Sequence, residues 1–576
     1  MFVDDIQLEN PYYAFVLRSP AACGKLKSIT APPMEDGFIL VKADDIPGEN
    51  SLFDGQIRVL AKDNVCFTGE PVALLCGPAL LKLEEYAANC VIEIEEETPE
   101  FSIEDAWEAG DFFARKEAEY GSVPKAKGEL VVEGHYETGP QEHWYSEPHG
   151  AIAKIENGMV IIESAAQRPK ELRKAVAAVL GINIDCVELK NAELGIHLDG
   201  KIWYPALIAS LAALAAQISG RTVKLQLTRE EDYLYSPKRT NSVVHIRSLL
   251  TFDGQILETD VLAKIGFGAA GVYASEIIEE ITHSFLETYK TGKITIETIA
   301  IKTNVPPAGP FAGFGASLAS FAMERHISKI ADVLQEECVE WRKNHLRAKV
   351  KELDILSFAA KESDFRRKWA AYELLRGNLK KDERILPQRG IGLTFAAGSA
   401  ARNNSLFESA NVFPVAACVV EVEVDRVNYE STFRGIWLHI ACGRPENISK
   451  AERVLRCATL AAISWSSIEK IKFIDGKITP PLCSFYEIMS VSATPEIHIN
   501  FAYEEGALPT PLSCLEELPF CAVPAAFAQA ISQAINYHVE RIPIIGLDIW
   551  RILMMKRQEN FDKKTEDEAR QAQENG

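Results

Sequence analysis

The chain has no Cys-x-x-Cys pair; its twelve cysteines lie singly from Cys23 to Cys521. That spacing offers no four-thiolate nest for an iron–sulfur cluster and no zinc knuckle, and fits reduced, buried thiols. Positive charge is also short. Lys and Arg total 61 against 82 Asp and Glu, a formal net charge of −21. That balance excludes a nucleic-acid partner and adhesion to anionic lipid, both of which need basic patches. The longest apolar run, Ile202 to Ile218, contains Pro205, Ser210 and Gln217. It falls short of the ~20 residues of a membrane span and reads as a buried Ala-rich helix. Asp4 and Asp5 interrupt the N-terminus before any apolar stretch, so no secretory signal is expected. His135, His143 and His149 lack the spacing of a helical His pair and have no Cys or carboxylate pattern beside them, so no metal site is predicted. The glycine-rich stretch Gly266 to Gly271 lacks the Lys-Ser/Thr ending of a phosphate loop, and reads as a packed turn. These absences describe a protein of a reducing, aqueous compartment, the cytoplasm, with neither membrane nor nucleic acid as partner.

What is present is ordinary globular sequence of 576 residues, 47% hydrophobic and 25% charged. That length implies three or four domains. Leu80 to Asn89 is helical in pattern, and Cys90 to Glu95 alternates like a half-exposed strand. Leu130 to Gly134 and Ala151 to Ile155 read as strands. Pro169 to Leu180 has helical apolar spacing, with Gly181 as its C-terminal cap. Strand pattern returns after Gly220, Asp253-Gly254 marks a hairpin, and Ser317 to Leu334 reads as a helix with Ser317 as N-cap. The fold class is α+β. The divisions fall at 1–118, 119–345 and 346–555, with a charged, disordered tail over 556–576.

Several short landmarks occur in a fixed order. Arg18-Ser19-Pro20, Asp44-Asp45-Ile46-Pro47-Gly48 and Gly69-Glu70-Pro71-Val72-Ala73 come first. Gln141-Glu142-His143-Trp144-Tyr145-Ser146-Glu147-Pro148 follows, then Leu227-Thr228-Arg229-Glu230-Glu231 with Lys238-Arg239, and Asn304 to Glu324 with Gly313-Phe314-Gly315. In that order they resemble the large, molybdenum-cofactor-binding subunit of the xanthine dehydrogenase/aldehyde oxidase family. The resemblance implies an N-terminal a/b hammerhead domain followed by two elongated α+β molybdopterin-binding-type domains with mixed sheets. It implies oxidative hydroxylation of aromatic N-heterocycles or aldehydes at a molybdenum–molybdopterin centre. Electrons would leave through iron–sulfur and FAD subunits, since this chain holds no site for either group. A homodimer is a further option.

The resemblance also places the cofactor residues. Gln167 matches the family glutamine beside the molybdenum, and a gap-free count from it lays the family's glycine-rich pterin loop on Gly195 to Ile202. Only Gly195, Gly200 and Lys201 match there; Asp199 adds a negative charge, and Ile202 stands where the family has a substrate-contacting glutamate. Gly313, Phe314 and Gly315 match the Arg-Gly-Phe-Gly motif, with Ala312 in place of the arginine. Glu517 aligns with the catalytic general base, and Glu516 with the glycine before it. Without the resemblance, Glu516 and Glu517 read equally as a solvated acidic pair favoured by a helix N-terminus. Three functions therefore stay open: an active hydroxylase, a catalytically silent structural or partner-binding subunit, and a small-molecule binder that reuses the cleft. The deciding question is whether the cleft is open towards Gln167 and Glu517 or filled by Ile196, Leu198 and Ile202.

Overall fold

The computed structural model describes residues 1–347, 354–378, 386–398, 414–503, 509–510 and 512–558. Its mixed α+β architecture is built on three larger mixed sheets. Alternation sets the registers. Leu130–Thr138 and Asn241–Leu250 bury every second side chain, so a one-residue slip would turn the whole apolar set to solvent. These two strands pair antiparallel along their length. They form part of a six-stranded sheet that runs on through Ile256–Gly266, Lys293–Ile301 and Phe112–Gly121. The turn at Asp253-Gly254 joins two of these strands as expected, with Gly254 at φ 82°.

A seven-stranded sheet crosses the boundary expected near residue 118. Tyr12–Arg18 pairs parallel with Val223–Gln226 and antiparallel with Pro71–Gly77. The first region therefore shares its hydrogen bonding with the strands Gly150–Glu156, Met159–Ser164 and Val187–Asn191. The helix Pro169–Leu180 ends on Gly181 at φ 64° as predicted. Tyr204–Ser219, the Ala-rich helix, is buried over nearly its whole length.

The third large sheet is four-stranded, in the order Gln388–Ala397, Val415–Val424, Ser431–Ala441, Ile497–Ala502. Its edge is covered by the helix Leu518–Ile535. Gln529 Oε1 accepts the Leu393 N–H at 2.7 Å, and Gln533 Oε1 accepts the Ile391 N–H at 2.9 Å. Side chains of the helix thus satisfy edge donors that would otherwise be buried unpaired. By length and apolar character this helix could cross a membrane, but 94% of it lies inside the fold. Its N-terminus presents Glu517 to the site.

Two expectations need comment. Ser317 is not an N-cap: the helix begins at Ala316 after Gly315. Ser317 is fully buried and accepts a hydrogen bond from Arg239 Nη1 at 2.7 Å. The long-range partner outweighs the local capping preference. The disordered tail expected over 556–576 falls outside the described residues from 559 onward, and 556–558 close a helix over 546–558.

Candidate functional site

The later landmark segments, 141–149, 228–239 and 304–324, meet in the interior. The 141–149 segment threads between them and is held by buried cations from the 228–239 stretch. Lys238 Nζ pairs with Glu142 Oε2 at 2.8 Å, and Arg239 Nε donates to Gln141 Oε1 at 3.1 Å. Arg229 donates to the Tyr145 and Ser146 carbonyls, and Asp232 Oδ1 pairs with His149 Nδ1 at 2.7 Å. Thr228 and Glu231 form a capping box that fixes the helix carrying Asp232. The Arg239 guanidinium lies over the Phe311, Trp465 and Phe520 rings at 3.8, 4.0 and 4.7 Å. Burial lowers its pKa to about 9. These ordered motifs act first as a scaffold.

The loop over 195–202 sits against this scaffold, and most of its backbone donors are engaged within the chain. Gly195 N–H faces the Glu147 carboxylate at 3.2 Å, and Ile196 N–H faces Ser146 Oγ at 3.3 Å. Asp199 N–H points to His197 Nδ1, and Gly200 N–H to the His197 carbonyl. Lys201 N–H donates to Gln167 Oε1 at 3.0 Å, and Ile202 N–H to the Asp199 carbonyl. The Lys201 side chain, 1% exposed, bonds the Glu147 carbonyl at 2.9 Å and its carboxylate at 3.1 Å. Leu198 and Asp199 keep left-handed backbone, at φ 45° and 69°. That conformation costs a non-glycine residue on the order of 1 kcal/mol.

Gln167 lies beside the loop and is bound to it from both ends of its amide. Its Nε2 donates to Asp199 Oδ1 at 3.1 Å while its Oε1 takes the Lys201 N–H. Burial raises the Asp199 pKa, against opposing hydrogen bonds from Gln167 and the Gly313 N–H. Gly313 thereby links the loop to the next motif, and Ala312 N–H donates to the Leu198 carbonyl at 3.1 Å. Phe314 meets Tyr273 edge-on with centroids 6.0 Å apart. Gly315 begins the helix Ala316–Leu334.

Glu517 joins the same cluster. It is 2% exposed, which corrects the solvated-pair reading. A Cβ added to Gly313 would stand 2.5 Å from its Oε2, and one added to Gly398 would stand 2.6 Å from its Oε1. Two glycines therefore make room for this one carboxylate. The structure brings Gln167, Gly195, Gly200, Lys201, Gly313, Phe314, Gly315 and Glu517 into one neighbourhood.

The open space lies to one side of them. Leu198 and Ile202 are buried, Leu198 in the core that includes Phe311 and Phe520 and Ile202 in the core of the seven-stranded sheet. Ile196 is 54% exposed. A pocket of about 430 Å³ opens between the 141–144 segment, Ile196, Leu198 and the helix Ile448–Ser467, with Glu516 on its wall. Neither Gln167 nor Glu517 lines it. The cleft is thus filled on the Gln167 side and open on the Glu516 side.

Three carboxyl groups of this pocket have raised pKa values; burial raises Glu142, against the opposing Lys238 charge. Burial raises Glu469 to about 7, against hydrogen bonds from Tyr486, Ser464 and Gln141. Burial also raises Glu516 to about 7, and the nearby Asp199 charge adds to it. Sequence reading named Arg239 only as part of a landmark and gave Glu469 no site role; the available signal for Glu469 was an isolated acid at the end of an apolar helix.

Family models described as molybdopterin cofactor-binding domain match residues 94–346 and 250–495. The chain belongs to the molybdopterin-binding subunit family of xanthine dehydrogenase and aldehyde oxidase. Aldehyde oxidase 4 of Cavia porcellus is 27% identical to this family member over 352 residues, covering 59% of it and 26% of the relative. Xanthine dehydrogenase of Emericella nidulans is 28% identical over 369 residues, covering 62% and 26%. The chain spans about a quarter of the length of these curated relatives. Quinoline 2-oxidoreductase from Pseudomonas putida 86 shares the fold with a TM-score of 0.81 at 17% identity, covering 96% of each chain.

Proposed function

We propose that this family member is a catalytically silent subunit: a structural, partner-binding component of an oxidoreductase complex whose cleft does not hold molybdopterin. The carrying observation is that most N–H groups of the 195–202 loop are already engaged within the chain. A pterin bearing phosphate is anionic and needs backbone N–H groups that can turn to it. Here the N–H groups of Gly195, Ile196, Asp199, Gly200, Lys201 and Ile202 already face acceptors within the chain. Asp199 and Glu516 add carboxyls, Lys201 is occupied by Glu147, and Ala312 supplies no guanidinium. These residues do not fit the cofactor, and no reaction step is assigned to it.

The preserved cores and buried ion pairs support a fold kept for assembly, with iron–sulfur and FAD subunits as the partners implied by the family. In this reading residues 1–118 are a hammerhead-type domain, 119–345 and 346–555 are the two molybdopterin-binding-type domains, and the complex works in the cytoplasm. A second reading, a molybdenum hydroxylase of N-heterocycles or aldehydes, is favoured by one observation. Gln167, Lys201, Gly313 and Glu517 gather in one place although they lie far apart in sequence.

Elemental analysis and pterin fluorescence on natively purified protein separate the two readings. The expected result is no molybdenum and no pterin, with iron and flavin in co-purifying subunits. Stoichiometric molybdenum with pterin would overturn the proposal.

A further inference from the structure

The pocket beside the filled loop has chemistry of its own. Its volume, about 430 Å³, falls in the range of small-molecule sites, roughly 300–1,000 Å³. Its walls are mainly apolar: Trp144, Leu198, Val454, Leu460, Ile488 and Met489 are among them. Most of its ionisable lining is already matched inside the protein. Glu142 pairs with Lys238, and both His143 ring nitrogens face carbonyls, those of Pro237 and Pro310. Glu469 accepts from Gln141 and Tyr486.

Two charged side chains remain without a hydrogen-bond or ion-pair partner among the described residues. Arg453 is exposed to solvent, where water screens it. Glu516 is largely buried, and the charge that acts on it is another acid, Asp199. A carboxyl held among apolar walls beside a like charge costs stability unless something answers it.

From this cavity and its one unanswered inner carboxylate we infer that the pocket binds a small organic cation with an apolar body, its ammonium or amidinium group seated on Glu516. The inference rests on the reading that the cleft does not hold molybdopterin. The rings and aliphatic side chains of the wall take the apolar body. The charge-assisted hydrogen bond to Glu516 fixes its orientation. An anionic ligand would meet Glu516, with Asp199 behind it, and would be refused. Asp199 acts on Glu516 from the loop, and the other titratable groups that line the pocket are Glu142, His143, Arg453, Cys457 and Glu469. Protons compete with the cation for this carboxylate, so affinity rises between pH 6 and pH 8.

Cys457, exposed and on the pocket lining, gives a local reporter. The experiment titrates the full chain with benzylammonium, benzamidinium and cyclohexylmethylammonium, and with benzyl alcohol and benzoate as neutral and anionic counterparts. Calorimetry gives affinity, and mass spectrometry of the Cys457 peptide gives its rate of alkylation by iodoacetamide. The expected result is binding by at least one cation, weaker binding of the alcohol, none of benzoate, and slower Cys457 alkylation in the presence of the bound cation. Glu516→Gln lowers cation affinity roughly tenfold or more and removes the preference over benzyl alcohol. Absence of binding by all three cations overturns the proposal, as does equal binding of benzoate. So does an unchanged affinity in a folded Glu516→Gln protein. Should that variant not fold, Cys457 protection in the unaltered chain decides alone. Molybdenum content, measured on the same samples, separates failure of the pocket assignment from failure of the silent-subunit reading.

Discussion

Gln167 Nε2 donates to Asp199 Oδ1 at 3.1 Å, and the Gln167 amide oxygen accepts the Lys201 N–H at 3.0 Å. One side chain that the family resemblance places beside a metal thus serves as an internal staple for the 195–202 loop. Asp199 holds one end of the staple.

The first prediction tests that bond. Asp199→Ala removes the acceptor and leaves a half-buried amide short of a partner, at a cost of about 1–3 kcal/mol. Asp199→Asn keeps an acceptor oxygen and loses less. Because burial raises the native pKa of Asp199, the wild-type carboxyl loses stability as pH rises above its unfolded value. The Asn variant therefore compares best with wild type at alkaline pH. Urea unfolding at pH 5 and pH 8 measures both effects, and equal stability of the Ala variant and wild type would contradict the staple.

Gly313 and Glu517 form the second testable contact. Gly313→Ala places a Cβ 2.5 Å from Glu517 Oε2 at a φ of 87°. Steric conflict and backbone strain together should cost about 2–4 kcal/mol. In a double-mutant cycle, Glu517→Ala should relieve the conflict with the carboxylate and leave the strain and the tighter Cβ contact at 3.0 Å. Strict additivity of the two changes would show that the residues do not touch.

The buried ion pair under the 141–149 segment gives a third. Lys238→Met leaves Glu142 buried without its counter-charge. Breaking such a pair from one side costs about 3–5 kcal/mol. Replacing both partners, Lys238→Met with Glu142→Gln, should recover a large part of that loss. A thermal melt in which the single variant matches wild type would rule out this role.

Glu516 predicts a pH signature in the ligand-free chain. Its native pKa near 7 lies above the ordinary carboxyl value of 4.5, so the folded state binds a proton that the unfolded state has released. Stability contributed by that proton is complete below about pH 4.5 and is lost as pH rises through 7. Glu469, also near 7, contributes with the same sign. Glu516→Gln should be more stable than wild type at pH 8 by roughly 1–3 kcal/mol and near parity at pH 4.5. Denaturant midpoints across that range give the comparison; a Gln variant no more stable at pH 8 would show that the carboxyl is not desolvated.

Local chemistry was legible where local chemistry decides. The helix Pro169–Leu180 and its Gly181 cap, and the hairpin at Asp253-Gly254, follow from apolar period and turn residues and appear as read. Ser317 shows the limit. Its sequence context proposes a cap, but a buried arginine 78 residues away claims its hydroxyl. Glu517 shows the same limit from the other side, since a carboxylate before a helix reads alike whether solvent or two glycines surround it.

By itself, the sequence determined the fold class and the order of landmarks, because side-chain period and turn chemistry are properties of neighbouring residues. It also marked the positions that depart from the family pattern the resemblance lays on them. Only the tertiary structure decided what those departures do: whether a loop's N–H groups are free, where Gln167 points, and which of two adjacent glutamates faces open space. Those outcomes depend on hydrogen bonds and burial between segments hundreds of residues apart. A sequence lists the donors and acceptors there without saying which of them meet.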